Sequence, residues 1–184
     1  MIKFFRIVIT IITVNFLLLS SSYSEIVNKI EIYGNDRISN ETIIMFSSIS
    51  INDDANKDKI NDILKQLYET RFFSDVNIKL ENNILKIYLK ENPIIENIIY
   101  DGIKAQKIRD PITKNLKLRN RSSYNEIDLN FDKEKIISTL KDLGYYFSNV
   151  DVYVNNLEDN KVNVRFDITL GKKAKIEKIS FIGD

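Results

Sequence analysis

Apolar positions recur along this chain with two periods, and the switches between them outline a repeated unit. Val27-Asn28-Lys29-Ile30-Glu31-Ile32-Tyr33-Gly34, Ile95-Glu96-Asn97-Ile98-Ile99-Tyr100-Asp101-Gly102 and Ile176-Glu177-Lys178-Ile179-Ser180-Phe181-Ile182-Gly183 share one pattern. Aligned on the glycine, their apolar residues coincide at minus seven, minus four and minus two. Alternation of this kind predicts a half-buried strand that the glycine ends at a turn. The glycines lie 68 and 81 residues apart, a spacing that suits a series of small domains rather than a solenoid.

The segments between these strands repeat as well. Ser39 is placed to cap a helix over Glu41–Ile49. A second helix is predicted from Asn56 to Thr70, because Ile60, Ile63, Leu64 and Leu67 fall on one face. Val76, Ile78 and Leu80 then alternate, Asn82-Asn83 offers a turn, and Leu85, Ile87 and Leu89 alternate again, which predicts a β-hairpin. In the second unit Asp110-Pro111 reads as an N-cap followed by proline at the first helical position. Ile136, Ile137, Leu140 and Leu143 stripe the next helix, and Gly144 stops it. Val150, Val152 and Val154 pair with Val162, Val164, Phe166 and Ile168. The order β-α-α-β-β thus occurs twice, an α+β arrangement, and the third copy is expected to contribute only its first strand. An isolated strand cannot bury its apolar face, so the chain is expected to be the front part of a longer protein. Asn92 and Pro93 join the first unit to the second with little slack, since proline fixes its own φ and holds its predecessor extended. Gly171 leaves the next joint freer.

Ahead of the repeats, Met1–Ser24 has the layout of a secretory signal peptide: Lys3 and Arg6, then apolar Ile7–Leu19, then a small polar stretch. Cleavage is expected between Ser24 and Glu25, with cleavage after Ser22 as the competitor. As an uncleaved anchor Ile7–Leu19 would span about 20 Å, against a hydrocarbon core of about 30 Å.

Composition narrows the chemistry. Hydrophobic residues make up 43% and charged residues 29%, a globular mixture. Without Lys3 and Arg6, the 27 basic residues fall to 25 against 26 acidic ones, so no basic field exists to attract nucleic acid. Histidine and cysteine are absent, which removes imidazole bases, thiolates, disulfides and the usual zinc and haem ligands. Asp53, Asp54 and Asp58 lack the glycine and terminal glutamate of a calcium loop and read as a solvated helix start. Nothing gathers Glu41 and Asp75 into a pocket. Phe72, Phe73, Tyr145, Tyr146 and Phe147 read mostly as core, with Tyr145 or Tyr146 as candidates to face a partner. Lys104, Lys107, Arg109, Lys114, Lys117, Arg119 and Arg121 read as a solvated face, with anionic lipid headgroups or an acidic lipoprotein as a second reading. No catalytic, metal or cofactor site is expected; the chain reads as a binding module and not an enzyme.

Several segments together resemble the POTRA (polypeptide-transport-associated) family, and in particular the N-termini of BamA-type outer-membrane assembly factors. They are Ile30–Ser39, Glu41-Thr42-Ile43, Leu67–Val76, Glu91–Ile95, Gly144–Phe147 and Ile179–Asp184. Each is weak alone; their order, spacing and position behind a signal segment make the set specific. The family pattern has glycine where Arg71 stands, which bears on the local turn. The resemblance implies tandem domains, each a three-stranded mixed sheet covered by two helices: a signal segment over 1–24, repeats over 25–92 and 93–171, and the first strand of a third over 172–184. It implies further repeats and a transmembrane β-barrel downstream, an outer-membrane protein with this region in the periplasm, and no cofactor. Implied partners are unfolded outer-membrane β-barrel proteins and accessory lipoproteins. Other POTRA-bearing classes, a two-partner secretion transporter or a cell-division scaffold with an uncleaved anchor, stand as alternatives.

The same resemblance places the first hairpin strand at a sheet edge, where an extended client segment can add as another strand. The candidate edges are Val76, Asn77, Ile78, Lys79 and Leu80, and Val150, Asp151, Val152, Tyr153, Val154 and Asn155. Lys79, Glu81 and Asp151 would otherwise simply keep these edges apart from neighbours. Proline at an edge position whose N–H points outward is expected to remove that donor and spare the domain's own ladder; Asp151, Tyr153 and Asn155, with Asn77 and Lys79, are the positions to try as a set, since alternation does not fix which N–H groups point outward.

Overall fold

The computed structural model describes residues 26–175 and 177–181; the signal segment and its cleavage site at Ser24 and Glu25 lie outside them. The first unit runs β1 (Lys29–Tyr33), α1 (Asn40–Ser47), α2 (Lys57–Glu69), β2 (Phe73–Glu81) and β3 (Ile84–Glu91). The second runs β4 (Ile94–Asp101), α3 (Gln106–Thr113), α4 (Glu126–Asp142), β5 (Asn149–Leu157) and β6 (Lys161–Thr169). Each makes a three-stranded sheet, ordered β1-β3-β2 and β4-β6-β5. β1 and β4 pair parallel to the central strand, and β2 and β5 pair antiparallel to it.

Local chemistry accounts for most boundaries. Ser39 accepts from Thr42 N to start α1, and Asn56 accepts from Lys59 N to start α2, each satisfying an amide the helix leaves free. Asn82 and Asn83 take φ of 52° and 64°, the left-handed pair that a tight two-residue hairpin turn needs. At the end of α4, Gly144 adopts φ 91° while its N–H donates to Lys141 O and that of Tyr145 to Leu140 O, so glycine ends this helix as its sequence indicates.

Each sheet buries one face against its helices. Ile43, Ile63, Leu67, Val76, Leu85 and Ile87 share the first core, and Ile95, Ile112, Ile136, Leu140, Val150, Val164 and Phe166 the second. Two strand-end glycines hold equivalent places. A β-carbon at Gly34 would run into Leu89 O, and one at Gly102 into Ile168 O. The chain leaves β1 and β4 directly over the central strand, at φ of 83° and 85°.

The expectation at Asp110-Pro111 fails. α3 begins five residues earlier behind Ala105, and Pro111 lies inside the helix. The apolar pair Ile108 and Ile112, one turn apart and both buried, sets the helix position. Pro111 sits near the end of an eight-residue helix, so the cost of its missing donor is confined to the last turn. Phe147 departs as well: it is 80% exposed, and Tyr146 is 60% exposed, while Phe73 is buried and Tyr145 packs against the second core. Residues 177–181 form no strand, and Ile179 and Phe181 stay exposed. Among the described residues no helix is long and apolar enough to cross a membrane.

Candidate functional site: two sheet edges and the joint between them

The sheet order leaves β2 and β5 each with one unpartnered side, and the glycine contacts show which residues face it. Leu89 O points toward β1, because that is where Gly34 meets it. Within a strand the N–H and C=O of one residue point to the same side, and successive residues alternate. Leu85, Ile87 and Leu89 therefore bond β1, while Ile84, Lys86, Tyr88 and Lys90 bond β2. Their partners on β2 are Glu81, Lys79, Asn77 and Asp75. The outward main-chain groups of β2 belong to Val76, Ile78 and Leu80. A separate observation agrees: Val76 N donates to Tyr68 Oη at 3.1 Å, on the side away from β3.

By the same argument Ile168 O faces β4, so Asn163, Arg165 and Asp167 bond their partners Asn155, Tyr153 and Asp151. The outward groups of β5 belong to Val150, Val152, Val154 and Asn156. This corrects the expected proline positions. Asp151, Tyr153 and Asn155, like Asn77 and Lys79, spend their N–H groups inside the ladder, so proline there breaks the sheet. Alternation alone identified which side chains face the core. It did not identify which amides face the open edge, because the two are set by different neighbours.

The opposite edges are covered in part. Ile95 N donates to Ser122 O, Arg121 N donates to Ile95 O, and Ile98 N donates to Asn120 Oδ1. The 119–123 loop thus covers the outer side of β4 as far as Ile98. Asn52 and Asp53 bond Val27 just before β1.

Between the sheets the joint is tied down mainly from the first unit. Glu91, at the end of β3, has a side chain only 1% exposed. Its Oε1 accepts from the amides of Asp36, Arg37 and Ile38, each at 3.0 Å, and Arg37 Nε lies 2.8 Å from Oε2. Asn92 N donates to Phe72 O, its Nδ2 donates to Arg71 O, and its own carbonyl accepts from Arg37 Nη2. Arg71 holds the left-handed turn at φ 60° without glycine, and its guanidinium reaches Asp128 at 3.2 Å in the second unit. Sequence reasoning placed Asn92 and Pro93 at the joint but missed Glu91's role; only its unusual position, a carboxylate in the apolar parity of β3, hinted at it. Gly171, at the other joint, takes φ 67°, and a β-carbon there would press on Phe147 O.

The remaining candidates are structural. Asp53 Oδ2 accepts from Ser50 N and lies 3.9 Å from Lys59 Nζ. Among the described residues no three acidic side chains converge as a metal ion would require. Lys117 lies 3.7 Å from Asp128 and over the Phe131 ring, and the other basic residues of this segment are exposed.

Comparison with known proteins agrees with this geometry. Residues 93–171 match the profile of the POTRA family, described as surface antigen variable number repeat. The outer membrane protein assembly factor BamA of Neorickettsia risticii is 27% identical over 90% of this chain and 22% of its own length. That of Neisseria meningitidis is 29% identical over 86% of this chain and 20% of its own. The chain therefore spans about a fifth of the length of these relatives. In fold, it is similar to the N-terminal domain of Omp85 from Thermosynechococcus elongatus, with a TM-score of 0.52 at 15% identity, covering 77% of this chain and 61% of that one. It is also similar to the first two POTRA domains of Omp85 from Anabaena, with a TM-score of 0.50 at 14% identity, covering 85% of this chain and all of that one. The chain thus matches the POTRA family over residues 93–171 and is similar, along nearly its whole length, to BamA-type outer membrane protein assembly factors.

Proposed function

We propose that this chain is the periplasmic POTRA region of an outer-membrane β-barrel assembly factor. In this reading it receives unfolded barrel precursors by strand addition at β2 and β5, relays them toward a downstream barrel, and scaffolds accessory lipoproteins. The observation that supports it most is the sheet order, which ends both sheets on an antiparallel strand with a row of outward main-chain groups. Main-chain pairing is indifferent to client side chains, which suits a receptor for many different precursors. The work is binding without covalent chemistry.

The test is site-specific photocrosslinking to an outer-membrane β-barrel protein diluted from urea. Photoreactive residues at Lys79 and Asn155, on the edge strands, should capture it. One at Lys135, an exposed position on α4, should not. Equal capture at all three positions would refute strand addition. Export by a cleaved signal segment belongs to the same proposal: N-terminal sequencing of the cellular protein should find Glu25 or Tyr23 first, and an intact Met1 would refute it.

A further inference from the structure

The two edges are not equivalent. In the first unit Tyr68, in the last turn of α2, lays its hydroxyl on the outward amide of Val76 at 3.1 Å. An incoming strand must displace this bond to pair at that amide. In the second unit the corresponding helix position is Lys141, which follows buried Leu140 as Tyr68 follows buried Leu67. An ammonium group offers donors and no acceptor, so Lys141 cannot occupy an outward N–H of β5.

Charge separates the edges in the same direction. β2 contains Asp75, Lys79 and Glu81, while β5 contains Asp151 alone and no lysine. Charged side chains, lysine above all, are what edge strands use to repel added strands. The side chains of Val152 and Val154 pack against the second core and are half-buried at the open edge, so part of each is left for an added strand to cover. The 119–123 loop covers the other edge of this sheet as far as Ile98, so β5 is the longer open edge.

The geometry points to β5 as the principal acceptor and to Tyr68 as an intramolecular latch that keeps β2 in reserve. The occupant is an extended, uncharged segment with apolar side chains at alternate positions. Its backbone pairs with Val150, Val152 and Val154, and every second side chain covers the valine flank. This rests on the strand-addition reading above and ranks the two edges within it.

The test is an NMR titration of the 15N-labelled full chain with a decapeptide of alternating valine and threonine, carrying arginine at each end for solubility. The amides of Val150, Val152 and Val154 should shift first. In Tyr68→Phe, which removes only the hydroxyl, Val76 and Ile78 should respond at roughly fivefold lower peptide concentration, the equivalent of one neutral hydrogen bond, with β5 unchanged. Tyr68→Leu should act the same way. Response of β2 before β5 in the unaltered chain, or no change at β2 in either variant, would overturn the ranking and leave strand addition standing. Shifts confined to the helices in all three proteins would overturn strand addition itself. Shifts at β5 that track protein concentration without peptide would make a second copy the occupant and overturn the assignment.

Discussion

Replacing Glu91 by glutamine tests whether the joint is held as its contacts indicate. The change keeps shape and volume and removes one charge. In the native fold three amides, those of Asp36, Arg37 and Ile38, converge on one carboxylate oxygen from more than fifty residues away in sequence. Hydrogen bonds to a charged group contribute about 1.5–3 kcal/mol each and neutral ones about 0.5–1.5. The three bonds share one oxygen, so their losses do not add in full. The glutamine amide would also point a donor at Arg37 Nε, which now lies 2.8 Å from Oε2. Arg37 is about a third exposed, so water replaces much of that pairing, and it adds little. We expect Glu91→Gln to cost about 2–3 kcal/mol. Urea denaturation measures the total. Hydrogen exchange locates it, since the amides of Asp36, Arg37 and Ile38 should lose protection ahead of the β2–β3 ladder. Leu170 is the control: it comes two residues after Ile168, as Glu91 comes two after Leu89, and Leu170→Met should leave all three amides unchanged. A cost below about 1 kcal/mol, or unaltered exchange at these amides, would show that the carboxylate does not hold the loop.

Three further changes probe the core, a strand-end turn and a buried carboxyl. Leu67 is fully buried, so Leu67→Ala should cost about 2–5 kcal/mol by chemical denaturation; a cost near zero would contradict the α2 register. Gly102→Ala forces a β-carbon onto Ile168 O at φ 85° and should destabilise the second unit by about 2–4 kcal/mol, from backbone strain and overpacking together; Gly144→Ala, which meets only the flexible Lys173 side chain, should cost less. Burial raises the Asp132 carboxyl above its ordinary range, against the lowering effect of the Lys117 and Leu118 amides it accepts from. The folded state therefore holds this proton to higher pH than the unfolded chain does. Its contribution is fully present below the unfolded value and is lost as pH rises through the raised one. Thermal midpoints should show the unaltered chain losing ground to Asp132→Asn over that window; a gain would reverse the sign.

Much of the fold is legible in the sequence because its signals are local. Asn56 caps its own helix, Asn82-Asn83 turns its own hairpin, and the valines of β5 alternate whatever surrounds them. What sequence reasoning missed depends on residues far apart in the chain. The start of α3 is decided by where Ile108 and Ile112 find the core, which outweighs the local preference of Asp110-Pro111 for a helix start. Phe147 sits in an aromatic run that reads as interior, yet the turn after α4 leaves it outside. Edge position came from the POTRA resemblance, and amide direction from a glycine contact between strands. The open edge, on which the proposed strand addition depends, was legible as a segment but not as a set of groups.

The bonding at Glu91 and Asn92 also bears on how such arrays can be recombined. The side chains of Arg37, Glu91 and Asn92 bond only within the first unit, and β4 begins only two residues after Asn92. A crossover that exchanged this unit for another would keep these side-chain bonds whole and leave Pro93 with β4 only if it fell between Asn92 and Pro93. One residue earlier takes away the Asn92 side-chain amide that donates to Arg71 O. One residue later parts Pro93, whose ring fixes the entry to β4, from the unit it opens. The linker thus travels with the unit before it, and the gain or loss of repeats in this lineage should leave its seams at that peptide bond.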